Sequence, residues 1–142
     1  HELGHALPAL AFTKAEVEVR IGESFAKSLT VLGRFEFAWS FRSSFTGFTQ
    51  YQRSNLGKVP LSAIILGGPI ASGLACGLGG LGTLSTTDPI WWRISAAAFL
   101  CANGIVFLRS AIPVTLRPTE QFPDGPPSDG LDLWKTLRGT SN

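Results

Sequence analysis

The sequence predicts a membrane α+β domain: a short helix carrying His-Glu-x-x-His, a small antiparallel β-sheet insertion, two transmembrane helices and a proline-rich Asp-Gly loop. Three observations predict it. "HELGH" opens the chain with two histidines at helical spacing, residues 14–58 alternate charged and apolar side chains, and two long stretches after Leu61 are almost free of charge. Composition agrees, with 44% hydrophobic and 15% charged residues and a mean hydropathy of +0.21. Soluble domains carry about 25% charge.

The first element is a helix over residues 1 to about 13, rich in Ala and Leu. Pro8 lies inside it, where the missing N–H removes one backbone hydrogen bond and kinks the axis. Residues 14–58 follow as a β-rich insertion holding 11 of the 22 charged residues. In "AEVEVRI", Val17, Val19 and Ile21 face away from Glu16, Glu18 and Arg20. In "RFEFAWSFR", Phe35, Phe37, Trp39 and Phe41 face away from Arg34, Glu36, Ser40 and Arg42. Gly22, Gly33 and Gly47 punctuate these runs as turns or bulges. The aromatic face either covers a core or lies against lipid or a substrate strand.

Residues 59–112 hold the two spans. No charge occurs from Leu61 to Thr87, between Lys58 and Asp88. At 1.5 Å per residue, about 24 such residues reach about 36 Å, enough for a bilayer core of roughly 30 Å. The second span covers about residues 90–109. Arg93 lies near its end, where it can snorkel, and Trp91 and Trp92 suit a membrane interface. The two spans form an antiparallel hairpin. From Pro113 the chain turns proline-rich, with five of its nine prolines between 113 and 127. No regular structure is expected there, and "LDLWKTLRGTSN" reads as the start of an amphipathic helix or a frayed tail.

The chemistry lies in the first five residues. On a helix His1 and His5 share a face, so both imidazoles reach one Zn²⁺. Glu2 sits on the adjoining face as a general base toward a water at that metal. A catalytic zinc needs a third protein ligand and an open position. The chain has two histidines only, so the third ligand is a carboxylate or comes from outside the chain, and the acidic candidates beyond the two spans are Glu120, Asp124, Asp129 and Asp132. Asp124 and Asp129 each precede glycine, which is also an ordinary turn sequence.

"HELGHA", the strand-rich insertion, a span carrying "GGPIAS" and a later Asp-Gly, in that order, resemble the site-2 protease family of intramembrane zinc metalloproteases. The resemblance covers nearly the whole chain as a single domain, 1–142, that begins at the HExxH motif. It implies one zinc per chain held by His1, His5 and an Asp-Gly aspartate, with Glu2 as catalytic base. "SDGLDL" makes Asp129 the preferred third ligand, ahead of Asp124. It implies that Gly68 and Pro69 pack near the site. It also implies a multi-pass protein of a bacterial cell membrane whose partners are the lipid bilayer and a membrane-protein substrate. The family's Asn-x-x-Pro becomes "SAIP", so substrate binding falls to Ser110, or to Asn103 further back.

Other readings are weaker. Gly77, Gly79 and Gly82 match G-x-G-x-x-G but lack the strand before and the acid after that a dinucleotide site needs. Gly73 and Gly77 read instead as a small-xxx-small helix contact. Cys76 and Cys101 are expected as buried small hydrophobes. The mixed net charge of +2 offers no nucleic-acid surface. With no methionine, residue 1 reads as an internal position of a longer protein. The alternatives are a catalytically inactive membrane module that binds or chaperones helices, and a soluble zincin whose apolar runs are core.

Overall fold

A computed structural model describes residues 1–22, 28–31, 33–40, 47–84, 89–118 and 123–139. Phe41, Arg42, Asp88 and the candidate ligand Glu120 lie outside them. Along the chain run α1 (Glu2–Phe12), β1 (Val17–Ile21), β2 (Ser28–Val31), β3 (Phe35–Trp39), β4 (Gly47–Gln50), α2 (Lys58–Leu84), α3 (Ile90–Ala111) and α4 (Asp129–Arg138). The chain forms two compact units, Glu2–Gly67 and His1 with Gly68–Asn142.

In the Glu2–Gly67 unit the sheet order is β2-β3-β1-β4. The expected alternation is present. Val17 and Val19 are fully buried, Arg20 is exposed, and Phe35 and Phe37 pack beside the core formed by Ala6, Ala9, Val17, Val19 and Ile64. The aromatic face therefore covers a core along most of β3, and Trp39 alone of its aromatics is exposed. The sheet is mixed rather than antiparallel, because β1 pairs parallel with β3 (Val17 opposite Phe35, Ile21 opposite Trp39). The physical reason is connectivity. β2 and β3 form an antiparallel pair whose second strand docks on β1, and a parallel neighbour needs an intervening crossover, here β2 with its connections.

Arg34 donates through both terminal nitrogens, to Leu10 O (2.7 Å) and Thr13 O (2.6 Å). Carbonyls at the end of α1 that have no helical partner are thereby satisfied.

Pro8 leaves α1 continuous. Its missing N–H frees the carbonyl of Gly4, four residues earlier. Gly67 of α2 approaches that carbonyl so closely that a Cβ there would stand 2.0 Å from Gly4 O. A Cα–H of Gly67 thus points at the freed oxygen, a weak contact worth about 0.5–1 kcal/mol. Gly67→Ala is expected to force α1 and α2 apart and lower stability by about 1–3 kcal/mol, the usual range for overpacking. Thermal unfolding measures this, and an unshifted midpoint would contradict the close approach.

In the second unit, residues 68–84 of α2 pack on α3 as an antiparallel pair. A Cβ at Gly79 would meet the Leu100 backbone at 2.8 Å, and one at Gly82 would meet Ala96 Cβ at 2.9 Å. Gly73 lies opposite Phe107 at 3.6 Å. Gly77 has nothing within 4 Å, so the expected Gly73–Gly77 contact gives way to Gly79 and Gly82, on the side of α2 that meets α3. All these glycines lie within one continuous helix, which leaves no phosphate-binding loop.

α2 (27 residues, mean hydropathy 1.8) and α3 (22 residues, 1.5) are each long and apolar enough to cross a membrane. Cys101 is exposed, correcting the burial expected of it, because it sits on an outward face of α3; Cys76 is half-buried. Trp91 and Trp92 meet edge to face at 6.1 Å, both well exposed.

The proline-rich stretch after α3 is more ordered than its composition suggests. Thr115 and Pro127 form an antiparallel bridge, and Leu116 N donates to Pro126 O at 2.8 Å. "SDGLDLWKTLR" then forms the helix α4 from Asp129, ending at Gly139 in the left-handed conformation (φ 74°) that favours glycine as a helix stop.

Candidate metal centre

Asp129 is set in place by its neighbours. Ser128, 2% exposed, caps α4 by accepting from Leu131 N (3.3 Å), and its hydroxyl donates to Ile112 O (2.6 Å) just beyond α3. Gly130 packs against the end of α3, where a Cβ would stand 2.2 Å from Ala111 O. "SDG" is therefore a cap, a presented carboxylate and a close contact. Asp129 lies in the first turn of a helix rather than in a loop, where the helix dipole favours a negative charge. Asp124 differs. It is exposed, and it precedes Gly125 at φ +80°, an ordinary turn glycine.

His1 stands just before α1 and His5 lies one turn along it. The ligand atoms of His1, His5 and Asp129 lie within 4.8 Å of one another. His1 Nε2 is 3.1 Å from Asp129 Oδ2. Two ligands of a tetrahedral zinc, each about 2.0–2.1 Å from the ion, stand roughly 3.3 Å apart, so this pair already has the required spacing. Two imidazoles and one carboxylate form a recognised donor set for zinc.

The other ring nitrogens are held as well. His5 Nδ1 lies 2.8 Å from Ile64 O, within a buried site. A carbonyl only accepts, so Nδ1 carries the proton and the Nε2 lone pair is left for a metal. His1 Nδ1 lies 2.9 Å from the hydroxyl of Ser72, which is fully buried on α2. The site residues are thus a group that can hold a metal ion, and its donors fit zinc.

Glu2 belongs to the first turn of α1. Its Oε2 accepts from Thr49 Oγ1 of β4 at 2.8 Å, while its own carbonyl lies 3.1 Å from the same hydroxyl. The backbone of β4 also packs against it, since a Cβ at Gly47 would meet Glu2 Cγ at 2.9 Å. The side chain is therefore held on the edge strand of the sheet.

Ser110 and Asn103 both bond within α3, Ser110 Oγ to Phe107 O (3.0 Å) and Asn103 Nδ2 to Phe99 O (2.9 Å). Asp132 shares the first turn of α4 with Asp129.

Sequence reasoning passed over Ser72, Ile64, Ser128 and Thr49. Ser72 had a faint signal, a hydroxyl in an apolar span just after the Gly-Pro pair. The Ile64 contact uses a backbone carbonyl, which no residue type announces. No family model, curated protein or solved structure matches the chain.

Proposed function

We propose that this chain is an intramembrane zinc metalloendopeptidase, hydrolysing peptide bonds in or near transmembrane segments of other membrane proteins. The observation that carries the reading is the convergence of His1, His5 and Asp129, three donors of the kind zinc takes, in a chain whose sequence sets Glu2 between the two histidines in His-Glu-x-x-His. His1, His5 and Asp129 would hold the zinc, which when bound would supply Lewis acidity toward the scissile carbonyl and the attacking water. Glu2 removes the proton from the attacking water and returns it to the departing amine. Ile64 and Ser72 hold the two imidazoles in orientation.

The substrate must present an extended strand, since a helix hides its carbonyls in hydrogen bonds. Among the described residues β4 is an edge strand, paired with β1, and edge addition would bring the scissile bond toward Glu2, which β4 itself holds. The lengths and apolar composition of α2 and α3 are in keeping with association with a membrane, and the proposal takes both as spans. The resemblance to site-2 proteases extends this to a bacterial cell membrane.

A second reading is an inactive membrane module of the same fold. Ser110 favours it, since a serine bonded to its own helix stands where the family's substrate-holding asparagine is expected. The test is the full-length protein purified in detergent, with zinc counted per chain and a transmembrane peptide as substrate. One zinc per chain, and cleavage that stops on chelation and returns with zinc, is the expected result. Zinc without cleavage would leave the module reading, and absence of zinc would sink the protease.

A further inference from the structure

Most hydroxyl and amide side chains on α2 and α3 with a resolved bond satisfy themselves locally. Thr83, Ser95, Asn103 and Ser110 each donate to a carbonyl three or four residues back in their own helix, as such groups do in apolar surroundings. Ser72 is the exception. It is 0% exposed, and its Oγ lies 2.9 Å from Nδ1 of His1, 71 residues away. The other nitrogen of that ring, Nε2, is the one 3.1 Å from Asp129 Oδ2.

We infer that Ser72 is a positioning residue of the metal centre, its hydroxyl accepting from His1 Nδ1–H when Nε2 is the ligand and so fixing the orientation of the ring. The inference rests on the zinc reading and adds to it a residue that the motif does not contain. A ring nitrogen that binds a metal must offer its lone pair, so the proton belongs on the other nitrogen and needs an acceptor there. His5 uses a main-chain carbonyl for this purpose. His1 precedes the first turn of α1 and uses a side chain from α2. Its ring is therefore held from both sides, by Ser72 at Nδ1 and by the Asp129 side at Nε2. Because a hydroxyl both donates and accepts, Ser72 also serves the alternative tautomer, with Nε2–H donating to Asp129 and the Ser72 hydroxyl donating to Nδ1. The ring then keeps one orientation whether or not a metal is present. Alanine at 72 serves neither arrangement.

The test compares Co²⁺ and Zn²⁺ binding to the full-length protein and its Ser72→Ala, Ser72→Thr and Ser72→Cys variants in detergent, using the visible absorption of the Co²⁺ form and competition with a chelator. Loss of an outer partner of a ligating histidine typically weakens metal binding about 10- to 100-fold, and Ser72→Ala is expected to fall in that range with an altered Co²⁺ spectrum. Ser72→Thr, which keeps the hydroxyl, is expected to restore binding to within a few-fold of wild type. Wild-type affinity and spectrum in Ser72→Ala would overturn the inference while leaving the zinc reading intact. If Ser72→Ala does not fold, Ser72→Cys decides, since a thiol is a weak acceptor and wild-type affinity there would overturn the proposal equally. Failure of the wild-type protein to bind either metal would remove both readings together.

Discussion

Glu2→Gln is expected to abolish peptide hydrolysis while zinc stays at one per chain. Glutamine keeps the volume of the side chain and still offers an oxygen to Thr49 Oγ1, which lies 2.8 Å from the carboxylate. Its packing against Gly47 is likewise retained. What disappears is basicity, and removing a general base costs about 10²- to 10⁴-fold in rate. Removing an acid from the first turn of α1 also weakens its interaction with the helix dipole by about 0.3–1 kcal/mol, too little to unfold the domain. Zinc content, thermal unfolding and cleavage of a transmembrane peptide, measured on one preparation, separate these effects. A variant that cleaves within tenfold of wild type would assign the base elsewhere. A wild type that holds zinc and is as silent as the variant would favour the helix-binding module.

The second large effect belongs to Asp129→Ala. Its carboxylate is the only acidic member of the donor group and stands 3.1 Å from His1 Nε2. Two histidines do not hold a catalytic zinc. Zinc affinity is therefore expected to fall by on the order of a thousandfold or more, beyond the 10- to 100-fold typical of an outer partner. Asp124→Ala is the matched control. That residue occupies an exposed turn, and its replacement should leave zinc and cleavage unchanged. Retention of full zinc by Asp129→Ala would move the third ligand to another acid, Asp132 in the same helical turn being the first to test.

Local patterns survived into the structure wherever one periodicity was enough. His1 and His5 are four residues apart, and although α1 starts only at Glu2, that spacing still brings their ligand atoms within reach of one another. Val17, Val19, Phe35 and Phe37 turn toward the core as their alternation requires. Alternation assigns a face and not a neighbour, so it was silent on the parallel pairing of β1 with β3. Cys101 shows the limit for helices: an apolar span has no polar face to mark its outer side, and a small hydrophobe there can point outward.

The two Asp-Gly sites are the clearest case. In isolation "FPDG" and "PSDG" are equivalent turn sequences, and only the resemblance ranked one above the other. Tertiary contacts make them different. Ser128 ties "SDG" to Ile112, and Gly130 packs on Ala111, so the second aspartate opens a helix, whereas Gly125 takes a left-handed turn after the first.

By itself, then, the sequence determined the helix-spaced histidines with their glutamate, the faces of the strands, and two apolar helices long enough to span a membrane. These follow from periods of 2 and 3.6 residues and from the length of uncharged runs. The tertiary structure decided that Asp129 joins the histidines, that Ser72 and the Ile64 carbonyl hold their rings, and that Thr49 holds Glu2. Those pairings span 47 to 71 residues and more. No local period encodes contacts at that range. Chain closure and packing bring the groups together, and in the case of Ile64 the group is a backbone carbonyl common to every residue.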